Sequence, residues 1–209
     1  MKRDTRQAIL NTAQALLREK GYNAVSVGEI AAALGISKGN LTYYFKRKEE
    51  IVEALLESAA STFPTEPPRT LEDLDACLQD MERAGENNAF YFRSHAQLGQ
   101  LSEKIRARQR EVYRRYSGLL RQGLANLTEG GLLRREAFPG EQARAADTVF
   151  LTAVYWLPFC ESKGEASSFR TQAWGMLCPL LTDRGRAELA ALLPGLFAPS
   201  NPRERENDL

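Results

Sequence analysis

Residues 30–41 read Ile30-Ala31-Ala32-Ala33-Leu34-Gly35-Ile36-Ser37-Lys38-Gly39-Asn40-Leu41, and their order specifies two short helices joined by a tight turn. Gly35 stands where the chain must turn through left-handed backbone, which glycine adopts without steric cost. Ser37 supplies the side-chain acceptor that opens the second helix. Ala31 must be small because that helix crosses close to it. Ile30, Leu34, Ile36, Leu41 and Phe45 form the small core that fixes the crossing angle. With Leu41 and Phe45 inward, Lys38, Gly39, Asn40, Thr42 and the Tyr43/Tyr44 pair lie on the opposite face. This is the logic of a helix-turn-helix, whose second helix meets base edges in the major groove.

The surrounding sequence is helical on the same argument: apolar residues recur at i, i+3 and i+4, and no period-two run is sustained. Asp4 or Thr5 caps a first helix with Ile9, Ala13, Leu16 and Leu17 on one face, ending at Gly21. Ser26 and Glu29 form a capping-box pair for the second helix. A connecting helix starts near Arg47 and carries Ile51, Leu55 and Leu56 inward. Residues 63–69 interrupt it with three prolines. Beyond lie helices from Thr70 to a break at Gly85–Asn88, over 89–101, from Ser102 to Leu127, over about 140–162 and bent or ended near Pro158, over 166–182 and over 185–193. The expected division is residues 1–48 for a three-helix head, 49–197 for a helical body (47–62 being the connecting helix) and a disordered tail over 198–209.

Composition narrows the function. The 209 residues carry 28 basic and 27 acidic groups, a total of +1 that taken whole speaks against nucleic acid. Residues 1–48 alone hold nine basic against three acidic groups, a net of +6, leaving −5 for the remainder. The basic share coincides with the helix-turn-helix, as a phosphate-backbone binder requires. One histidine, His95, cannot build a His-rich metal site, and no nucleophile turn or glycine-rich phosphate loop accompanies it. No metal, cofactor or enzymatic activity is expected. No apolar run is long enough for a membrane span. Cys77, Cys160 and Cys178, without a CxxC, read as residues of a reducing cytoplasm.

Residues 5–60 closely resemble the DNA-binding domain of the tetracycline-repressor (TetR) family. The resemblance rests on Ala8-Ile9-Leu10, Gly21-Tyr22, Ser26-Val27, Ile30-Ala31, the run from Gly35 to Phe45, and Lys48-Glu49-Glu50-Ile51. It implies a C-terminal domain that binds a small molecule and dimerises, and a double-stranded palindromic operator as partner. Chemistry and resemblance together assign phosphate contact to Ser26, Ser37, Tyr43 and Lys48, and base-edge contact to Lys38, Asn40 and Tyr44. Gly39 permits close approach of backbone to DNA. Lys2, Arg3 and Arg6 add contacts as a flexible arm. Thr42 departs from the tyrosine frequent in the family and keeps a shorter-reaching hydroxyl for phosphate. Gly28 offers no side chain where relatives read a base.

In the body, Phe90, Arg93, His95, Tyr113, Tyr116, Tyr155, Trp156 and Trp174 are the candidate contacts to a small hydrophobic or aromatic effector. The helices at 140–162 and 166–182 are the candidate dimer pair, through Phe150, Ala153, Leu157, Phe169, Ala173, Met176, Leu177 and Leu180. The reading is a homodimeric, ligand-responsive regulator, a repressor released by its effector. Two alternatives stand beside it: a thiol redox sensor using the cysteines, with Lys163 near Cys160, and an all-helical enzyme or lipid carrier. The last lacks any paired carboxylate or nucleophile–base set.

Overall fold

The computed structural model describes residues 2–58 and 65–196, with side chains from residue 5 onward except residue 58. Among them all regular structure is helical. The head comprises α1 (Lys2–Lys20), α2 (Val27–Ala33), α3 (Lys38–Tyr44) and α4 (Lys48–Ser58). Ser26 caps α2 in a reciprocal capping box with Glu29, and Ser37 caps α3 by accepting from the Asn40 amide. Gly35 holds φ +66 between them, and the Ile36 amide returns to the Ala31 carbonyl at 3.0 Å. The expected turn is therefore built as the residue types require.

The start of α1 differs from expectation. It is helical from Lys2, so Asp4 and Thr5 lie inside it, and the backbone of Lys2, Arg3 and Arg6 belongs to the helix and not to a flexible arm. Burial of Ile9, Leu10, Ala13 and Leu17 fixes the helix, and the Arg6 guanidinium sits 5.1 Å from the Phe45 ring centroid. The side chains of Lys2 and Arg3 lie outside the described residues.

The body comprises α5 (Leu71–Asn87), α6 (Ala89–Arg93), α7 (His95–Leu101), α8 (Glu103–Glu129), α9 (Glu141–Lys163), α10 (Phe169–Leu177), a 3₁₀ turn over Cys178–Leu180, and α11 (Asp183–Leu192). Helix α5 continues through Gly85, where a break is expected: a single buried glycine costs a helix only about 1 kcal/mol. The single helix expected over 89–101 divides at Ser94. Helix α9 passes Pro158 and ends at the left-handed Gly164. Pro68, in the linker-like stretch, lies against Gly123 of α8, and Asn126 donates to its carbonyl at 3.0 Å. The tail expected over 198–209 and the residues Phe63 and Pro64 lie outside the described set.

Two hydrophobic clusters organise the chain. One joins α5, α8, α9, α10 and α11 around Leu74, Leu120, Leu127 and Trp174. The other holds Ile9, Leu17, Ile30 and Leu41 of the head, Ile51 and Val52 of α4, and also Phe90, Leu98 and Ile105 from α6, α7 and α8. The expected boundary at 48/49 is thus no packing boundary: the core of the head is completed by residues of the body.

Candidate nucleic-acid interface and ligand cavity

Residues of α3 and its cap present the exposed face that the residue pattern calls for. Ser37, Lys38, Gly39 and Asn40 are exposed, as is Ser26 at the start of α2, and Tyr43 is 70% exposed. Tyr44 is half-buried against the head's core, its ring 5.2 Å from that of Tyr43 in an edge arrangement. Both cap hydroxyls accept amide hydrogens and keep their own hydrogen to donate. Thr42 differs: its hydroxyl donates to the Gly39 carbonyl at 3.0 Å, so that hydrogen is held within the helix.

Lys48 is also placed differently from expectation. Its ammonium donates to the carbonyls of Tyr22 and Val25 at 2.6 and 2.7 Å, and lies 3.8 Å from the centre of the Tyr22 ring. Tyr22 in turn donates to Glu49 at 2.7 Å. Burial pushes the Lys48 pKa below the usual lysine range, with Glu49 and Glu29 opposing that shift. A residue expected to hold phosphate instead clamps α4 onto the turn after α1. The sequence signal was present in the aromatic at position 22, but nothing local says that the ammonium points inward.

Behind the head, residues of α4 to α9 surround a cavity of about 450 Å³. Its apolar lining includes Leu56, Met81, Phe92, Val112, Phe150 and Val154, and its polar lining Asp80, Arg83, Tyr91, His95, Arg108 and Gln109. The volume lies in the range of small-molecule sites. At one end the Gln109 side chain donates to the His95 carbonyl at 2.8 Å, and the Tyr91 and His95 rings are 5.3 Å apart. Burial lowers the His95 pKa, which keeps the ring neutral at physiological pH. Burial also pushes the Tyr91 phenol up to about 12, against the bond with Gln109 and the charge of Arg108.

Of the eight candidate effector residues, His95 and Tyr116 line this cavity. Phe90 is buried in the head's core, and Trp174 in the body's, where its indole N–H donates to Asp75 at 2.9 Å. Trp156 donates to the Ser167 carbonyl at 2.8 Å and borders a separate space of only about 50 Å³. Arg93 pairs with Glu161, and Tyr113 donates to Asp147 at 3.2 Å. Tyr155 is exposed, with its ring 6.1 Å from that of His95. Asp80, Arg83, Arg108 and Gln109 were missed, because charged and amide residues on amphipathic helices read as a solvated face.

The candidate dimer residues also need correction. Phe169, Ala173, Leu177 and Leu180 are buried in the core of the chain itself. Phe150 and Ala153 face the cavity, Leu157 borders the smaller space, and Met176 is half-buried beside Thr152. The outward apolar face of α9 is instead Leu151, Tyr155 and Phe159, 58%, 44% and 55% exposed, at i, i+4 and i+8. Burial raises Cys77 to about 12 and raises Cys178, while Lys163 pairs with Glu165 at 2.5 Å.

A capped helix-turn-helix packed on a helical body defines the class: a helix-turn-helix transcriptional regulator. The profile of bacterial regulatory proteins of the tetR family matches residues 9–55, and that of the family's bacterial transcriptional repressors matches residues 49–189. The chain belongs to the TetR family. It is 28% identical over 147 residues to the regulator EthR of Mycolicibacterium smegmatis, covering 70% of this chain and 65% of that protein. It is 30% identical over 82 residues to the regulator AcrR of Shigella flexneri, covering 34% and 38% of the two chains. The chain thus spans less than two thirds of the length of these curated relatives. A TetR-family regulator from Marinobacter aquaeolei VT8 shares the fold with a TM-score of 0.78 and 25% identity over 92% of this chain and 98% of that one. No helix among the described residues is long and apolar enough to cross a membrane.

Proposed function

We propose that the chain is a homodimeric regulator, a repressor by preference, that binds a palindromic operator through α3 and is released by a small molecule in the α4–α9 cavity. The observation that carries this reading is the placement of the cavity. Its walls include α6, α7 and α8, and the same helices supply Phe90, Leu98 and Ile105 to the core beneath the reading face. A ligand that shifts α7 therefore acts on the head directly. Neighbours in fold support both halves: AibR is described in complex with isovaleryl coenzyme A and operator DNA, and SmeT in complex with triclosan.

Two copies would place their α3 helices in successive major grooves about 34 Å apart. The Leu151–Tyr155–Phe159 face of α9 is the surface we assign to the two-fold contact. To lower operator occupancy a hundredfold, the effector needs to prefer the non-binding conformer by about 2.7 kcal/mol. The test is a gel-shift series on palindromes from the region upstream of the chain's own gene. Replacing Lys38 and Asn40 by Ala removes two base-edge contacts worth about 1–3 kcal/mol each, so affinity falls at least tenfold. Unchanged binding by the double variant discards the assigned face.

A further inference from the structure

Each charge in the cavity lining is answered within the chain. Asp80 and Arg83 of α5 pair with each other, and Arg108 of α8 pairs with Glu111 at 2.6 Å. The His95 ring is neutral, and burial keeps the Tyr91 and Tyr116 phenols protonated. Among the described residues the lining thus asks for no counter-ion. Its amides are engaged or exposed: Gln109 donates to the His95 carbonyl at 2.8 Å, Asn88 to the Ala84 carbonyl at 3.0 Å, and Asn87 is exposed. His95 differs. Its half-buried ring meets those of Tyr91 and Tyr155 edge-on, 5.3 and 6.1 Å away, and among the described residues its nitrogens have no hydrogen-bond partner. The lining is also aromatic: Phe92 lies 5.2 Å from Tyr91, and Tyr116 and Phe150 are 6.3 Å apart.

We infer that the cavity takes an uncharged ligand with an aromatic body and a hydroxyl head, the hydroxyl bonded to the His95 ring and the body lying against Phe92, Tyr116 and Phe150. This rests on the reading of the cavity as the effector site. A carboxylate or an ammonium would enter a lining whose charges already have partners. It would lose its hydration without gaining a counter-ion, or part an existing pair to obtain one. A hydroxyl costs far less to desolvate. It also matches His95 in either tautomer, because it donates to the bare ring nitrogen or accepts from the protonated one. An aromatic body suits walls whose rings meet edge-on or tilted. The position of the hydroxyl matters too, because His95 opens α7, and α7 carries Leu98 into the head's core.

The test uses the full chain at neutral pH and three probes with one biphenyl body: 4-phenylphenol, which is uncharged, biphenyl-4-carboxylate and protonated 4-phenylbenzylamine. Isothermal calorimetry and melting shifts on the wild type are expected to show the phenol binding about tenfold or more tighter than either ion. His95→Phe keeps a ring, removes its nitrogens and weakens the phenol by about fivefold, with the ions little changed. Asp80→Asn leaves Arg83 without its partner and strengthens the carboxylate severalfold but not the phenol. Ala84→Trp, which fills the cavity from α5, abolishes binding of all three and separates the chamber from adsorption at the surface. Failure of the phenol to bind, an ion binding as tightly, undiminished phenol affinity in His95→Phe or Ala84→Trp, or a carboxylate indifferent to Asp80→Asn each overturns the inference. A gel shift run in parallel keeps the two readings apart. Selective phenol binding with no release of DNA upholds the ligand class and removes the regulatory role, while release by an ionic probe with no phenol preference does the reverse.

Discussion

At Gly39 an added Cβ would meet nothing closer than the Ser37 hydroxyl, at 3.9 Å, so no contact within the chain demands glycine there. If the demand comes from DNA pressed against α3, Gly39→Ala separates stability from binding. The variant gains about 0.5–1 kcal/mol in thermal unfolding, because alanine is the better helix former. Its operator affinity falls by an order of magnitude or more. A variant both more stable and equally competent in gel shifts would show that backbone approach is not needed. Lys48 makes the opposite case. Lys48→Met leaves two carbonyls without their donor, at about 1–3 kcal/mol each when buried, and lowers the urea midpoint accordingly. The salt dependence of operator binding stays the same, whereas Lys38→Ala reduces it by the loss of one cation beside the DNA. A shallower salt slope in Lys48→Met would restore that lysine as a phosphate ligand.

Helix α5 meets α10 through one charged junction. Asp75, 5% exposed, accepts from Arg170 through two bonds of 2.6 Å, from Trp174 at 2.9 Å and from Gln79 at 2.7 Å. Burial alone would raise the Asp75 pKa; the bonds from Arg170, Trp174 and Gln79 outweigh it and hold the carboxyl below its ordinary value. A depressed folded pKa means stability that is complete above the unfolded value of about 3.9 and is lost as pH falls through the folded one. The wild type therefore loses this contribution only below about pH 4. Asp75→Asn is expected to cost about 2–3 kcal/mol at neutral pH, near the low end for breaking a buried pair since Arg170 is partly exposed. Its acid unfolding limb is correspondingly flatter, which urea titrations at neutral pH and pH 3 would reveal. Helix α9 carries the second prediction at this scale. Leu151→Arg with Phe159→Glu puts charge on its outward face, and sedimentation is expected to find a monomer that no longer shifts a palindrome. A dimer in the double variant would move the two-fold contact elsewhere.

Across the whole molecule, what the sequence discloses depends on how local each feature is. The helix-turn-helix is written in contacts three to five residues apart, as in Ser26 with Glu29 and Ile36 with Ala31, so it is legible without tertiary knowledge. The cavity behind the head is written in contacts between residues far apart in the chain. Trp156 and Trp174 look like pocket residues until their N–H groups are seen to be engaged by Ser167 and Asp75. Arg108 and Gln109 look like solvent-facing residues until they are seen to line the cavity, with Gln109 bonded to the His95 carbonyl of α7. Helix α9 is apolar on more than one face, and sequence alone does not say which face packs inside. Only Val149, Ala146 and their neighbours, once placed in the core, leave Leu151, Tyr155 and Phe159 outside.

The shared core beneath the head sets a rule for transplanting it. Regulators of this architecture invite modular engineering, in which one protein's reading unit is grafted onto another's sensor. Here a graft cut after α4 would leave Ile51 and Val52 facing foreign surfaces in place of Phe90, Leu98 and Ile105. A fragment of residues 1–58 is accordingly expected to be largely unstructured by circular dichroism, and a chimera to need those three body residues carried along with it. The transplantable unit is discontinuous in sequence, and interchangeability between relatives would follow the match at these few positions more closely than overall identity.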